Sequence, residues 1–251
     1  TDADCMPPSG WASHMVKEFE EGIELVAGYS FYEKISGMNS LFYQLQALEF
    51  FSHMAVAGGG ICQQFPITSS GTSLAYRKTW FQRVGGFNEI FDHISGDDDF
   101  LLHKLSIHDP KAIRFCWHEK ARVVTFPAPT LRSLWNQRKR WASKTPKYPS
   151  KVVWLLSCVF LFYFAILFSL LFGVFQVLRH DIWLDLYAAL GAWCTKTALD
   201  YWVMDVAARK FNKGSLMTLF LPTAILHIPL ILGAVIFGTL GSFSWKNQNS
   251  K

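Results

Sequence analysis

The chain has 251 residues, 51% of them hydrophobic, with a formal charge of +5 and a pI near 8.9. That length holds one ordinary domain and a further element. Residues 1–151 carry most of the charge and 152–251 are dominated by apolar side chains, which excludes a single evenly mixed soluble domain. The bases gather between Arg132 and Lys151, just ahead of an apolar run, which favours a membrane border over nucleic acid.

The chain opens on TDADC, with the carboxylates of Asp2 and Asp4 one residue apart. Such a pair at a strand end can share a divalent cation with a diphosphate, and it can equally be two solvated acids. WASHMVKEFEEGIELVAGYS then reads as a helix running into a strand. NSLFYQLQALEFFSHMAVAGG reads as a helix whose Phe and Leu stripe is core, with the glycines as its stop. SSGTSLAYRKTWFQRVGGFNE reads as strand, helix and turn. In it Gly71 allows close backbone approach and Gly85–Gly86 mark the turn.

SGDDDFLLHKL puts Asp97, Asp98 and Asp99 in a row ahead of Leu101, Leu102 and Leu105. Acids favour the first turn of a helix, so a helix start accounts for them. Their mutual repulsion also gives one of them the raised pKa of a general base. KAIRFCWHEKARVVTFP alternates as one or two strands. NQRKRWASK gives Gln137, Arg140 and Trp141 the spacing QxxRW. There an arginine fork suits phosphate oxygens and an indole face suits a sugar or base, although a basic juxtamembrane helix has the same composition.

Val152 to Phe175 runs without a charge and spans a hydrocarbon core of about 30 Å at ~1.5 Å per residue. Residues 216–240 form a second uncharged run, in which Pro222 and Pro229 are expected to kink the helix and His227 to be a packing residue. Between them, 182–204 is apolar but holds Asp185, Lys196 and Asp200, the last two spaced to pair on one helix face. Three spans are therefore expected, 152–175, 182–204 and 216–240. Lys144, Lys147 and Lys151 before the first, and Arg209, Lys210 and Lys213 after the second, put residues 1–151 in the cytosol. The tail lysines, Lys246 and Lys251, fit that orientation less well. The five cysteines form no CxxC pair and read as free thiols.

Each stretch alone has an ordinary structural reading. Their order is more specific: DxD, GTSLAYRK, VGGF, an acidic triplet, QxxRW, then membrane helices. That ordered set resembles the membrane-integrated family 2 glycosyltransferases, the group of cellulose, chitin and hyaluronan synthases and ceramide glucosyltransferase. The resemblance implies an α/β GT-A-like nucleotide-diphospho-sugar transferase domain over residues 1–150, followed by a transmembrane α-helical region over 151–251. It implies inverting transfer of a sugar from a nucleotide-sugar donor, a UDP-sugar by family default, to a lipid or glycan acceptor at the cytosolic face of a bacterial inner membrane or its equivalent. No nucleic-acid partner is expected.

Carried onto this sequence, Asp4 would ligate Mg²⁺ or Mn²⁺, with Asp2 beside the nucleotide. Asp98 would be the general base with Asp97 its neighbour, a one-residue shift moving that role. Asp99 would sit where the motif no longer demands an acid. Gly71 and Thr72, with Ser73, would line the acceptor site, and Gln137, Arg140 and Trp141 would flank the donor diphosphate. The family also carries a nucleotide-binding strand ahead of DxD, so on this reading the domain is N-terminally truncated and inactive alone. The competing expectation is a non-catalytic membrane scaffold built on a decayed transferase domain.

Overall fold

The computed structural model describes residues 1–88, 96–241, 243–245 and 248–250. Glu89, Ser95, Lys246 and Lys251, invoked above, lie outside them. In chain order the elements begin with α1 (Trp11–Lys17), β1 (Leu25–Gly28) and β2 (Ser30–Tyr32), so the expected helix and strand are both present, the strand interrupted at Tyr29. Next come α2 (Ser40–Cys62), β3 (Leu74–Tyr76), α3 (Lys78–Arg83) and α4 (Asp97–His108). β4 (Ile113–Cys116) and β5 (Val123–Thr125) are the two strands expected there. They are followed by α5 (Leu131–Ser143), α6 (Ser150–His180), α7 (Leu184–Lys210) and α8 (Phe220–Thr239). A short antiparallel pair, β6 (Phe243–Trp245) and β7 (Gln248–Ser250), closes the described chain.

The strands are short and helices predominate. β1 lies between antiparallel β3 and parallel β4, and β2 pairs in parallel with β5. β1 is buried along its whole length, which suits its uninterrupted LVAG sequence. Met6 bridges to Val124 of β5, so the segment carrying the DxD is pinned to the sheet edge by paired backbone hydrogen bonds.

Helix α2 starts where Asn39 caps it, its side chain accepting the Phe42 N–H at 3.0 Å. It does not stop at the glycines as expected but continues through Gly58–Gly60 to Cys62. Packing is the reason. A Cβ on Gly58 would lie 2.4 Å from the Trp117 ring, and one on Gly60 would lie 2.8 Å from the Phe65 carbonyl. Both glycines admit a close neighbour rather than ending the helix.

One cluster of buried side chains joins Leu25, Phe51, Leu101 and Phe115 to Ala208 and Phe220 of the C-terminal helices. The core therefore crosses the boundary at residue 150. Among the described residues two helices are long and apolar enough to cross a membrane, Ser150–His180 and Gly214–Thr239, with mean hydropathies of 2.6 and 2.2. The second includes the 3-10 turn Gly214–Leu219 that leads into α8. Phe168, Leu171 and Leu178 of α6 are at least 60% exposed, far more apolar surface than a water-facing helix carries.

The expected span 182–204 is helical but too polar to meet the same standard. Two of its three charges are paired: Lys196 Nζ lies 2.6 Å from Asp200 and 4.8 Å from the centre of the Tyr163 ring on α6, while Asp185 accepts from Gln176 at 3.5 Å. His227 meets the same tyrosine edge to face at 5.9 Å, a packing role. Pro222 sits in the first turn of α8, where its missing N–H is not needed, and only Pro229 lies inside the helix. The kink expected at Pro222 has no cause there.

Candidate active site

The acids and the glycine loop converge although they are far apart in sequence. Gly96, at φ +105°, takes a backbone conformation that only glycine adopts readily and caps the start of α4, which has the three aspartates in its first turn. Asp97 faces solvent. Asp98 Oδ2 accepts the Gly71 N–H at 2.8 Å, and Asp98 Oδ1 accepts the Asp99 N–H at 2.8 Å. A Cβ on Gly71 would touch Asp98 Oδ2 at 3.6 Å and Asp2 Oδ1 at 3.8 Å, so this glycine holds open the space between the DxD and the triplet.

Asp99 is fully buried, which corrects the expectation that its position demands no acid. Its Oδ1 accepts from Thr68 Oγ1 at 2.9 Å and from the Ser69 N–H at 2.8 Å. Its Oδ2 accepts from the Tyr148 hydroxyl and from Lys144 Nζ, each at 2.5 Å. Burial alone would raise the Asp99 carboxyl, but Lys144 and these donors outweigh burial and hold it low. Asp98 goes the other way. Burial and the neighbouring Asp99 charge push it up, against the pull of Lys144. Two adjacent carboxyls are thus driven apart, one kept ionised and one made the better proton acceptor.

Helix α5 carries QxxRW. Thr130 and Ser133 cap its N-terminus reciprocally, and its apolar side lies on α8. There Gly233 makes room for Trp135 and Gly238 for the Lys139 carbonyl, where added Cβ atoms would approach within 2.7 and 2.5 Å. Arg140 is pulled down by burial and held up by the charges of Asp98 and Asp2, which places its guanidinium in the field of both acids. Lys144 follows one turn later on the same helix face.

Gln137 and Trp141 face elsewhere. Gln137 Oε1 accepts from Arg138 at 2.5 Å. The Trp141 ring is covered by the Arg138 guanidinium at 4.2 Å and meets His53 edge-on at 5.2 Å. One face of this half-buried indole, expected to receive a sugar or base, is covered by Arg138. Arg138 pairs with Glu49 of α2, both almost fully buried, the Arg138 Nε donating to Glu49 Oε1 at 2.8 Å. Thr72 lies in a hydroxyl chain with Ser30 and Ser70, at 2.5 and 2.7 Å, beside Gly71. Ser73 turns inward and accepts from Trp11 Nε1 at 3.0 Å.

At the chain start, ligating atoms of Asp2, Asp4 and Cys5 lie within 4.8 Å of one another. Burial pushes the Cys5 thiol up, and sulfur is a soft donor that suits a hard cation poorly. The two exposed carboxylates supply the oxygen donors that Mg²⁺ or Mn²⁺ prefers.

The family model described as Glycosyl transferase family group 2 matches residues 2–237, nearly the whole chain. The chain belongs to this family. It is a glycosyltransferase, and membership implies a GT-A-like fold for its nucleotide-sugar domain. No curated protein matches the chain.

Within this family 2 transferase, sequence reasoning overlooked Glu49, Arg138, Tyr148 and the role of Lys144. Glu49 had a signal, a lone acid between Leu48 and Phe50 in an apolar helix. Lys144 had none, since it reads as one more base at a membrane border.

Proposed function

We propose that this transferase moves a sugar from a nucleotide-sugar donor to a hydroxyl of a lipid or glycan acceptor, by one inverting displacement at the cytosolic face of a membrane. The observation that carries this reading is Gly71, where Asp98 and Asp2 approach one another with Arg140 in their field. A sugar hydroxyl is a poor nucleophile at neutral pH, so a carboxylate must take its proton as attack proceeds. Asp98 supplies it, with its pKa raised by burial. The acceptor oxygen bonds to the anomeric carbon, and the bond from that carbon to the diphosphate oxygen breaks. The bonding pair leaves with the nucleoside diphosphate and the hydroxyl proton goes to Asp98. A single displacement inverts the anomeric centre and needs no second carboxylate as nucleophile.

Arg140 opposes the charge that grows on the leaving diphosphate. Asp4 and Asp2 would hold a divalent cation, whose chemistry is to neutralise diphosphate charge. The exposed apolar surfaces of α6 and α8 favour insertion in a bilayer, and the lysines flanking α6 favour a cytosolic acceptor site.

The test is nucleoside-diphosphate release in membranes containing the protein, supplied with a panel of nucleotide-sugars and Mg²⁺ or Mn²⁺. Release with one donor, lost by at least ~100-fold in Asp98→Asn, is the expected result for removal of a general base. No release with any donor from folded, membrane-inserted protein would instead support the scaffold reading.

A further inference from the structure

Lys144 stands at the C-terminal end of α5, where a cation is favoured by the helix dipole, and it is largely enclosed. Its alkyl stem lies over Gly96. A Cβ there would come within 2.7 Å of Lys144 Cδ, so this glycine is fixed by the lysine as well as by its φ of +105°. The ammonium reaches both acids behind it, Asp99 Oδ2 at 2.5 Å and Asp98 Oδ1 at 3.6 Å.

The oxygens divide cleanly. Asp99 spends both on the brace formed by Thr68, Ser69, Tyr148 and Lys144, which leaves it no free face for a substrate. Asp98 Oδ1 is turned towards Lys144 and the Asp99 N–H. Asp98 Oδ2 accepts the Gly71 N–H, on the side where Asp2 lies.

Resting on the transferase reading above, we infer that Lys144 is a positioning residue. It holds Oδ1 of Asp98 so that Oδ2 is the oxygen that meets the acceptor hydroxyl, with buried Asp99 as the counterion that keeps Lys144 from closing on the base. Tyr148 ties the same brace to the segment entering α6, so the base is registered against the membrane helix.

The experiment is steady-state transfer by the full-length protein in membranes, comparing wild type, Lys144→Met, Lys144→Arg, and Lys144→Met combined with Asp99→Asn. Lys144→Met is expected to lower kcat by about 100-fold, the scale on which a small misplacement of a reacting group is felt. The donor KM should stay at the wild-type value, because the lysine faces the base and not the diphosphate. Lys144→Arg, which keeps the charge, should recover most of the loss. The double variant removes both members of the closest ion pair, so Asp99 is not stranded without its lysine; it should fold where the single variant does not, and it should remain slow.

Wild-type kcat in either Met variant would overturn the inference, as would a loss confined to KM or an Arg variant as slow as the Met variant. Absence of turnover in wild type with every donor would overturn the transferase reading and this inference with it. That outcome is told apart by the wild-type control.

Discussion

Asp98 Oδ2 accepts the backbone N–H of Gly71 at 2.8 Å, a bond that joins the first turn of α4 to a loop 27 residues earlier. It fixes one oxygen of the proposed base beside Gly71, whose missing side chain keeps the space between Asp98 and Asp2 open.

Gly71→Ala tests that space. The added Cβ would make only ordinary contacts, 3.6 Å to Asp98 and 3.8 Å to Asp2, so folding should tolerate it. It would nonetheless stand between the two acids. The expected outcome is a thermal midpoint close to wild type with transfer reduced by about 100-fold, the cost of displacing reacting groups by about 1 Å. Unchanged transfer would place the substrate elsewhere.

The Glu49–Arg138 pair should be a stability element. Both side chains are at most 5% exposed, and breaking such a pair from one side costs about 3–5 kcal/mol. Glu49→Gln should therefore lower the thermal midpoint strongly, whereas Glu49→Leu with Arg138→Met should restore much of it. The pair also sets a pH window. Burial alone would raise the Glu49 carboxyl, but Arg138 and His53 more than offset it and hold it well below the usual carboxylate range. A depressed folded-state pKa gives stability that is complete above the unfolded value of about 4.3. That stability is lost as pH falls through the folded value. The gap between wild type and Glu49→Gln, measured by thermal unfolding, should shrink only below about pH 4.

Gly58 and Gly59 should respond in opposite directions. Alanine at 58 would place its Cβ 2.4 Å from the Trp117 ring, an overpacking expected to cost about 1–3 kcal/mol. Alanine at 59 meets nothing within 4 Å on an exposed helix position and should stabilise by up to about 1 kcal/mol. Equal effects in denaturation would mean that α2 does not pass through these glycines.

The DxD makes a metal prediction. Chelation should abolish diphosphate release, and Mg²⁺ or Mn²⁺ should restore it. Asp4→Asn removes one of two carboxylate donors, so it should raise the cation concentration needed for half-maximal release without lowering the thermal midpoint, since Asp4 is exposed. A variant with unchanged metal dependence would remove Asp4 from the proposed ligand set.

Legibility in the sequence followed locality. Period and composition mark the apolar helices α6 and α8, and turn chemistry marks Gly85–Gly86 and the start of α4 at the acids. A motif read in order marks Asp2, Gly71, Asp98 and Arg140, which the structure brings to one side of the domain. QxxRW was legible as a pattern, but only Arg140 of its three named residues turns towards the acids. Trp141 does not, because Arg138 of its own helix and His53 of α2 close over it, and both meet Glu49 of α2.

The sequence by itself determined the family, the apolar helices and the residue types available for chemistry, since these depend on neighbours along the chain. Only the tertiary structure decided which of three consecutive aspartates is saturated and which presents an oxygen towards Gly71 and Asp2. Thr68, Ser69, Lys144 and Tyr148 come from segments distant in sequence, and a carboxylate's pKa and open face depend on what packs around it in space.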